Sequence, residues 1–424
     1  MFEKIIFSGQ ILRKISSPAI DWFYNLLSLP IKSITNLPVY CCINSDFYKV
    51  KYDDYIGFDV KNFYSFYNLN YSNHLSKKEL DNLWSSIFYN TEYNELAYEY
   101  IHKIFGNSLV ITHEASELLL TAFNYFDIPY IDINTDPIRF LEDQMFCFRS
   151  NNREIYEKIL KYKYPEENIY LQANYLKTLN LNDPINLVDN SVLFCGQTNC
   201  DKTLIEKDTK TIYSILDHRE DFKRAVDGYS KIYYKRHPYV KNDSKIIQFI
   251  KSLNDVEIID TNIYKLFSSK EIKKVVSISS GVSMEGKYFG KECVSLLRES
   301  IPMQYKNTFD ENKFISVFGD YFSLNFWSDI LSPAIETKKF DKIINFSNLT
   351  NKLRNSRGYK TYWGYEDPEQ EIIKEDIKRK FHLTSTGIVY NILKAINNCI
   401  VKFCCCFLFN KKNRQIFRKK YLIL

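Results

Sequence analysis

The chain has 424 residues, enough for two or three domains and more than one hydrophobic core, which argues against a single small binding module. Hydrophobic residues make up 45% and charged residues 25%, as in globular proteins, which argues against extensive disorder. The formal net charge of +6 is modest for this length, and no helix-turn-helix, zinc-finger or RNA-binding pattern is present, so nucleic acid is not expected as a partner.

Residues 1–185 are predicted to form an α/β domain. Residues 1–108 contain helical, aromatic-rich segments whose function the pattern does not define. The run SLVITHEAS then predicts a strand and a turn, ELLLTAFNYF a helix and IPYIDI the next strand, which together make one βαβ unit. Residues 153–182 are predicted to be helical with an interruption at YKYPEENIY, and Pro184 marks the domain boundary.

Residues 186–345 repeat a rhythm of short apolar strands and helices. SVLF, KIYY, VEII and VVSIS are predicted strands, and helices are predicted at about 217–227, 244–253 and 263–268 and from Ser283 onward. This alternation predicts a parallel sheet covered on both faces. The expected fold class is therefore α/β and GT-B-like, with two Rossmann-like domains facing a cleft.

A helical or linker segment is expected at 346–387, followed by a basic amphipathic tail at 388–424. The tail has seven basic residues between positions 402 and 420 and no acidic residue in that stretch. Such a segment suits the interface of an anionic membrane, and a packed C-terminal helix is the alternative. No run reaches about 18 consecutive apolar residues, so no membrane-spanning helix is expected.

The ten cysteines include one adjacent pair and one triplet, which suit neither a disulfide framework nor zinc ligation. The N-terminus is a poor secretory signal, because an acidic residue, Glu3, stands at its third position and its apolar segment is very short. The expected location is the cytoplasm, at the inner face of the cytoplasmic membrane.

Three polar motifs follow predicted strands in the second half of the chain. They are GQTNCD at 196–201, YYKRHP at 233–238 and SISSGVSMEGKYFGK at 277–291. The carboxyl ends of parallel strands are where open α/β sheets bind ligands, so the three motifs are predicted to form one site.

At these residues the chain resembles the retaining β-Kdo glycosyltransferases of bacterial capsule and lipopolysaccharide assembly, which transfer the acid sugar Kdo from CMP-Kdo. The matching positions are Gly196, Gln197, Asp201, Lys235, His237, Pro238, Ser280, Glu285, Gly290 and Lys291. Segments 113–116 and 128–143 look like parts of the N-terminal domain of the same enzymes, so the likeness covers about residues 109–333. Asn199 and Cys200 depart from the family, which more usually has an acidic pair there.

Three residues are predicted to carry the chemistry. The resemblance implies that Asp201 is the nucleophile of a double displacement, and the alternative is an aspartate that caps a helix. His237 is predicted to donate to the CMP phosphate as the leaving group departs. Glu114 is the candidate general base, with a pKa raised if closure of the cleft desolvates it, and a capping role is the alternative.

The remaining candidates are predicted to bind substrate. The serines at the end of the VVSIS strand suit a phosphate at a helix N-terminus, Glu285 suits ribose hydroxyls, and an ordinary helix cap is the alternative. Arg139 would pair a sugar carboxylate or form a structural salt bridge. The full set of candidate binding residues is Gln197, Lys235, Ser279, Ser280, Ser283, Glu285, Lys291, His113 and Arg139, with Asp132, Asp136 and Asp143 on the acceptor side.

The expected function is retaining transfer of Kdo from CMP-Kdo to a surface polysaccharide or glycolipid acceptor. No cofactor is expected, and the enzyme is predicted to be metal-independent, because a CMP-sugar carries one phosphate and no strand-flanked DxD motif is present. A sialyltransferase-like enzyme that uses CMP-sialic acid is one alternative. A non-catalytic component that docks a glycan-assembly complex at the membrane is another.

Overall fold

The computed structural model describes most of the chain up to residue 340. The described residues are 2–13, 19–46, 53–72, 74–181, 185–237, 240, 242–253 and 255–340. The predicted linker at 346–387 and the predicted membrane tail at 388–424 lie outside them.

The described residues form α-helices and mainly parallel β-strands. The strands are β1 (Lys4–Ser8), β2 (Val39–Asn44), β3 (Tyr55–Phe58), β4 (Ser108–His113), β5 (Tyr130–Thr135), β6 (Met145–Ser150), β7 (Ser191–Cys195), β8 (Lys231–Lys235), β9 (Val256–Ile258), β10 (Ile272–Ser277), β11 (Glu292–Ser295) and β12 (Ile315–Phe318). The helices are α1 (Ala19–Ile34), α2 (Val60–Ser65), α3 (Lys77–Phe88), α4 (Glu95–Phe105), α5 (Glu117–Tyr125), α6 (Arg153–Leu160), α7 (Glu166–Leu181), α8 (Arg219–Val226), α9 (Ser244–Lys251), α10 (Ile263–Ser268), α11 (Gly281–Tyr288) and α12 (Leu324–Leu331).

The first sheet has the strand order β3-β2-β1-β4-β5-β6-β12. Its first five strands are parallel, and β6 runs antiparallel to both β5 and β12. Alternate residues of the parallel strands face opposite sides, so Ile111 packs into a core with α1, α6 and α12, while Val110 packs into a core with α3, α4 and α5. Burial on both faces explains why these strands are almost wholly apolar.

The second sheet has the strand order β11-β10-β7-β8-β9, and all its neighbouring pairs are parallel. Leu193 of β7 packs toward α7, α10 and α11, and Val192 packs toward α8 and α9. The predicted α/β fold class, with two Rossmann-like, GT-B-like units, is therefore confirmed.

The chain crosses back to the first sheet after β11. Strand β12 pairs with β6, and α12 packs against α1 with Phe326 and Trp327 fully buried in the first sheet's core. This segment lies within residues 186–345, which the sequence pattern assigns to the second domain. The structure corrects this placement, because the apolar face of α12 is covered by the first sheet's helices.

A loop of the first unit is anchored in the second. Residues Ile138, Phe140 and Leu141, which follow β5, belong to the same core as Tyr264, Met284 and Phe289 of the second unit. Gly281 lies so close to this loop that an added Cβ would meet Pro137 at 3.0 Å. The two units are thus joined by buried apolar contacts.

No helix within the described part of the chain is long and apolar enough to span a membrane.

Candidate active site

The strand order reverses at the centre of each sheet, and ligands of open α/β sheets bind at such a switch point. In the first sheet the reversal lies between β1 and β4, where Gln10 and Glu114 follow the two strands. In the second it lies between β7 and β10, where Gln197 and Ser279 follow. Each pair is bridged, because Gln10 Nε2 donates to Glu114 Oε2 at 2.5 Å and Ser279 N donates to Gln197 Oε1 at 3.0 Å.

Asp201 is linked to the second switch point through Thr203 and Gln197. Gln197 Nε2 donates to Thr203 Oγ1 at 2.9 Å, and that hydroxyl donates to Asp201 Oδ1 at 3.0 Å. The same oxygen of Asp201 accepts from Thr203 N at 2.9 Å and caps the short 3-10 helix at Lys202–Leu204. The capping alternative is therefore realised, and among the described residues Oδ2 of Asp201 has no hydrogen-bonding partner.

His237 lies near this carboxylate, after the end of β8. Burial and the positive charge of Arg139 lower the pKa of His237, while the negative charge of Asp201 opposes them. A neutral imidazole at neutral pH is thereby favoured, and it can donate one N–H. Gly196, which follows β7, lets the chain pass close to the end of β8 and the residues after it. A Cβ at this position would meet Tyr234 Oη at 2.9 Å and His237 N at 3.3 Å.

Glu114 faces the Asp201 loop across the two units. Lys202 Nζ lies 3.2 Å from Glu114 Oε1 and also donates to Asn134 Oδ1. Burial alone would raise the Glu114 pKa, but Lys202, His113 and the hydrogen bonds from Lys202 and Gln10 together lower it to about 2. The pKa is lowered in this arrangement because a cation from the second unit contacts the carboxylate, and the rise expected on closure of the cleft stays a prediction. Glu114 also has a φ of 57°, an uncommon backbone conformation often found at functional sites.

His113 precedes Glu114 and points to the opposite side of β4. Its ring contacts Phe23 at a centroid distance of 4.9 Å and Trp22 at 5.4 Å. Burial, with a smaller contribution from Lys202, lowers its pKa to about 4 although Glu114 opposes this. His113 is therefore neutral at neutral pH and packs among aromatic rings beside the site.

The predicted serines occupy the turn from β10 into α11, which begins at Gly281 rather than at Ser283. Ser280 caps the helix, with its Oγ accepting from Val282 N, and Ser279 Oγ donates to Arg298 O at 3.0 Å. Ser283 is buried, and its hydroxyl bonds that of Ser277 at 2.7 Å. Ser279 and Ser280 thus lie at the switch point, whereas Ser283 holds β10 against the helix.

Glu285 and Arg139 join the two units instead of lining an open cleft. Glu285 is 3% exposed, and its Oε1 accepts from Arg139 N at 2.8 Å and from Tyr264 Oη at 3.0 Å. The predicted contact of Glu285 with ribose is corrected accordingly, because its carboxylate holds the loop that follows β5.

The two predicted lysines bond backbone carbonyl groups. Lys235 Nζ donates to Thr261 O at 2.7 Å, beyond the end of β9 at the carboxyl-terminal edge of the sheet. Lys291 Nζ donates to Ser269 O and to Ile272 O, which is the first residue of β10. Lys291 therefore lies at the end of the sheet opposite Ser279, and its predicted contact with the donor is corrected.

The acidic residues predicted on the acceptor side separate in the structure. Asp132 is buried and pairs with Arg149 at 3.0 Å, which also contacts Glu117 at 3.3 Å. Asp136 is buried and accepts from Ser316 Oγ at 2.7 Å, and Asp143 accepts from Gln144 N. Only Asp132 of these three lies in the wall of the pocket next to Lys202.

That pocket lies between the two units and has a volume of about 360 Å³. Its walls include Tyr89, Asp132, Asn134, Arg149, Lys202 and Arg298. Arg298 crosses the interface, since one of its Nη atoms donates to Ile205 O at 2.7 Å and to Tyr89 Oη at 3.0 Å.

Sequence reasoning missed Gln10, Lys202 and Arg298. The position of Lys202 directly after the predicted nucleophile Asp201 could have indicated its importance. Its partner Glu114, however, lies 88 residues upstream in the first unit. Within the described part of the chain, no group of three or more His, Cys, Asp and Glu residues is arranged to hold a metal ion.

Comparisons with known proteins find similarity only among solved structures. No protein-family model and no curated protein matches the chain. The chain is similar to the β-Kdo 2,7 transferase KpsC of Thermosulfurimonas dismutans, with 14% identity over 70% of this chain and 80% of that chain and a TM-score of 0.37. The β-Kdo 2,4 transferase KpsC of the same organism gives 17% identity over 44% of this chain and 68% of that chain, with a TM-score of 0.27.

The heptosyltransferase WaaC of E. coli gives 11% identity over 73% of this chain and 91% of that chain, with a TM-score of 0.22.

Proposed function

We propose that this chain is a glycosyltransferase that moves Kdo from CMP-Kdo to a surface glycan or glycolipid acceptor, with retention through a covalent adduct on Asp201. The observation that carries the proposal is the meeting of the two switch points, joined by the contact between Lys202 and Glu114 at 3.2 Å. A nucleotide-sugar bound to one sheet would present its sugar to groups of the other, as transfer requires.

The edge of the second sheet suits the nucleotide. Its bonded pair of Ser279 and Gln197 lies beside the N-terminal turn of α11, where the positive end of the helix dipole favours a phosphate. His237, held neutral by burial and by Arg139, supplies an N–H donor to the departing phosphate oxygen.

The reaction proceeds in two displacements. In the first, Asp201 Oδ2 attacks the anomeric carbon of Kdo, the bond to the phosphate oxygen breaks, and CMP leaves with that electron pair. In the second, an acceptor hydroxyl attacks the same carbon, loses its proton to a base, and breaks the ester to restore the carboxylate. Two inversions give net retention.

Glu114 can serve as that base only after its environment changes. With a pKa of about 2 it is a poor proton acceptor, since an effective base has a pKa nearer the working pH. Acceptor binding must therefore separate Lys202 from Glu114, and burial of the carboxylate would then raise its pKa.

The donor class is tested by thermal stability of the full chain against CMP, CTP, UDP, GDP and ADP at equal concentrations. A ligand at about a hundred times its dissociation constant stabilises the folded protein by roughly 2.7 kcal/mol. Stabilisation by the cytidine nucleotides alone is expected. A response limited to UDP or GDP would contradict CMP-Kdo as donor, and a response to none would favour the non-catalytic alternative.

A further inference from the structure

A second pocket lies beside α11 and is lined by Met284, Lys287 and Tyr288 of that helix. It has a volume of about 260 Å³, near the lower end of small-molecule pockets, which suits a ligand of one or two rings. Its other walls are formed by the loop after β5, the start of α7 and the residues just before it, residues 299 and 303–305, and Ser316 of β12.

The walls of this pocket are rich in tyrosine. Tyr164, Tyr170, Tyr288 and Tyr305 line it, above an apolar base of Ile138, Ile169 and Met284. The rings of Tyr170 and Tyr288 lie 4.8 Å apart at 62°, so they form a corner with one face and one edge. A pyranose has the matching shape, because its C–H groups present an apolar face and its hydroxyls project from its edge.

The charges around the pocket do not suit an anion. Lys287 is paired with Glu299 at 2.5 Å, and Lys163 Nζ donates to Tyr305 O at 3.2 Å. Asp136 and Glu166 add negative charge. Lys287 and Tyr288 lie in the last turn of α11, where the negative end of the helix dipole disfavours an anion. A neutral polyhydroxyl ligand fits these groups, whereas a phosphate or an acidic sugar does not.

The pocket adjoins the one beside Lys202, because Glu299 lies in the walls of both. We propose that this tyrosine pocket binds a neutral sugar unit of the acceptor glycan, away from the residue that receives Kdo. The inference rests on the proposed function, since it takes the ligand to be part of the acceptor.

The test is saturation-transfer-difference NMR on the full chain with maltose, cellobiose, lactose and N,N′-diacetylchitobiose at millimolar concentration. Tyr170 and Tyr305 are 45% and 57% exposed, so replacing both by alanine removes two pocket rings with little effect on folding. Tyr175→Ala is the matched control, because Tyr175 lies on the same helix, is 48% exposed and does not line the pocket.

We expect saturation transfer to at least one of these sugars, with affinity reduced about tenfold in the double variant and unchanged in the control. No transfer to any of the four sugars, or equal transfer in the double variant, would overturn the inference. The NMR measurement requires neither CMP-Kdo nor turnover, so its result does not depend on whether the protein transfers Kdo. A protein that binds the sugars but does not transfer Kdo would contradict only the proposed function.

Discussion

Replacing Lys202 by methionine tests the contact that joins the two switch points. The substitution keeps most of the side-chain volume and removes the charge that lies 3.2 Å from Glu114. Glu114 is 25% exposed, and its pKa falls from the ordinary 4.5 to about 2, although burial alone would raise it. This lowering, to which His113 and Gln10 also contribute, corresponds in total to about 3 kcal/mol, and screening by water reduces the share of Lys202.

The pH dependence of this effect follows from the direction of the pKa change. Because the folded pKa of Glu114 is lowered, its stabilising contribution is fully present above the unfolded value of about 4.5 and is lost as the pH falls toward 2. Lys202→Met should therefore lower the free energy of unfolding by up to about 3 kcal/mol at pH 7, and the deficit should narrow below pH 4.5.

Urea unfolding of both proteins between pH 3 and pH 7 measures this difference. The matched control is Lys207→Met, since Lys207 lines the same pocket, but its Nζ lies over the Tyr89 ring at 5.4 Å and pairs with no carboxylate among the described residues. The control should change stability by no more than about 0.5 kcal/mol. A deficit in Lys202→Met that stays constant across the pH range would refute the assignment of the effect to Glu114.

Three further substitutions separate structural from ligand-binding roles. Gly196→Ala would place a Cβ 2.9 Å from Tyr234 Oη, so we expect a loss of about 1–3 kcal/mol in urea unfolding and a smaller CMP-induced melting shift. Glu285→Ala leaves the partly buried Arg139 N–H without its acceptor and should cost about 1–3 kcal/mol, whereas equal stability of Glu285→Gln and Glu285→Ala would contradict this role. Burial lowers the pKa of Lys291 from 10.5 to about 8, so between these pH values the unfolded chain binds a proton that the folded chain does not. The stability of wild type relative to Lys291→Met should therefore increase as the pH rises from 8 to 10.5, and the variant should bind CMP as wild type does.

Much of the fold is predictable because its strands are short apolar runs separated by helices. SVLF, KIYY and VVSIS correspond to β7, β8 and β10, and the interruption at YKYPEENIY separates α6 from α7. Strand β1 was not predicted, although it lies at the centre of the first sheet, because its apolar run is only a few residues long. The pairing of β12 with β6 joins segments more than 160 residues apart, which local periodicity does not encode.

The candidate site was predictable only in part for the same reason. The polar residues that follow β7, β8 and β10 could be grouped from the chain alone, because parallel strands end at one edge of a sheet. The roles of Glu285 and Lys291 could not, since each depends on a backbone group that only the folded chain brings near. Lys202 acquires its importance from the opposite unit, and no spacing within GQTNCDKT indicates that contact.

The most direct test of the account is the release of CMP from CMP-Kdo in the presence of acceptor by wild type and by Asp201→Asn. The asparagine retains an oxygen that can cap the helix at Thr203, but its amide cannot form the glycosyl ester. We expect CMP to raise the melting temperature of both proteins equally and turnover to fall by at least about a thousandfold in the variant. Turnover within about twofold of wild type would contradict the nucleophilic role and leave Asp201 as a helix cap alone.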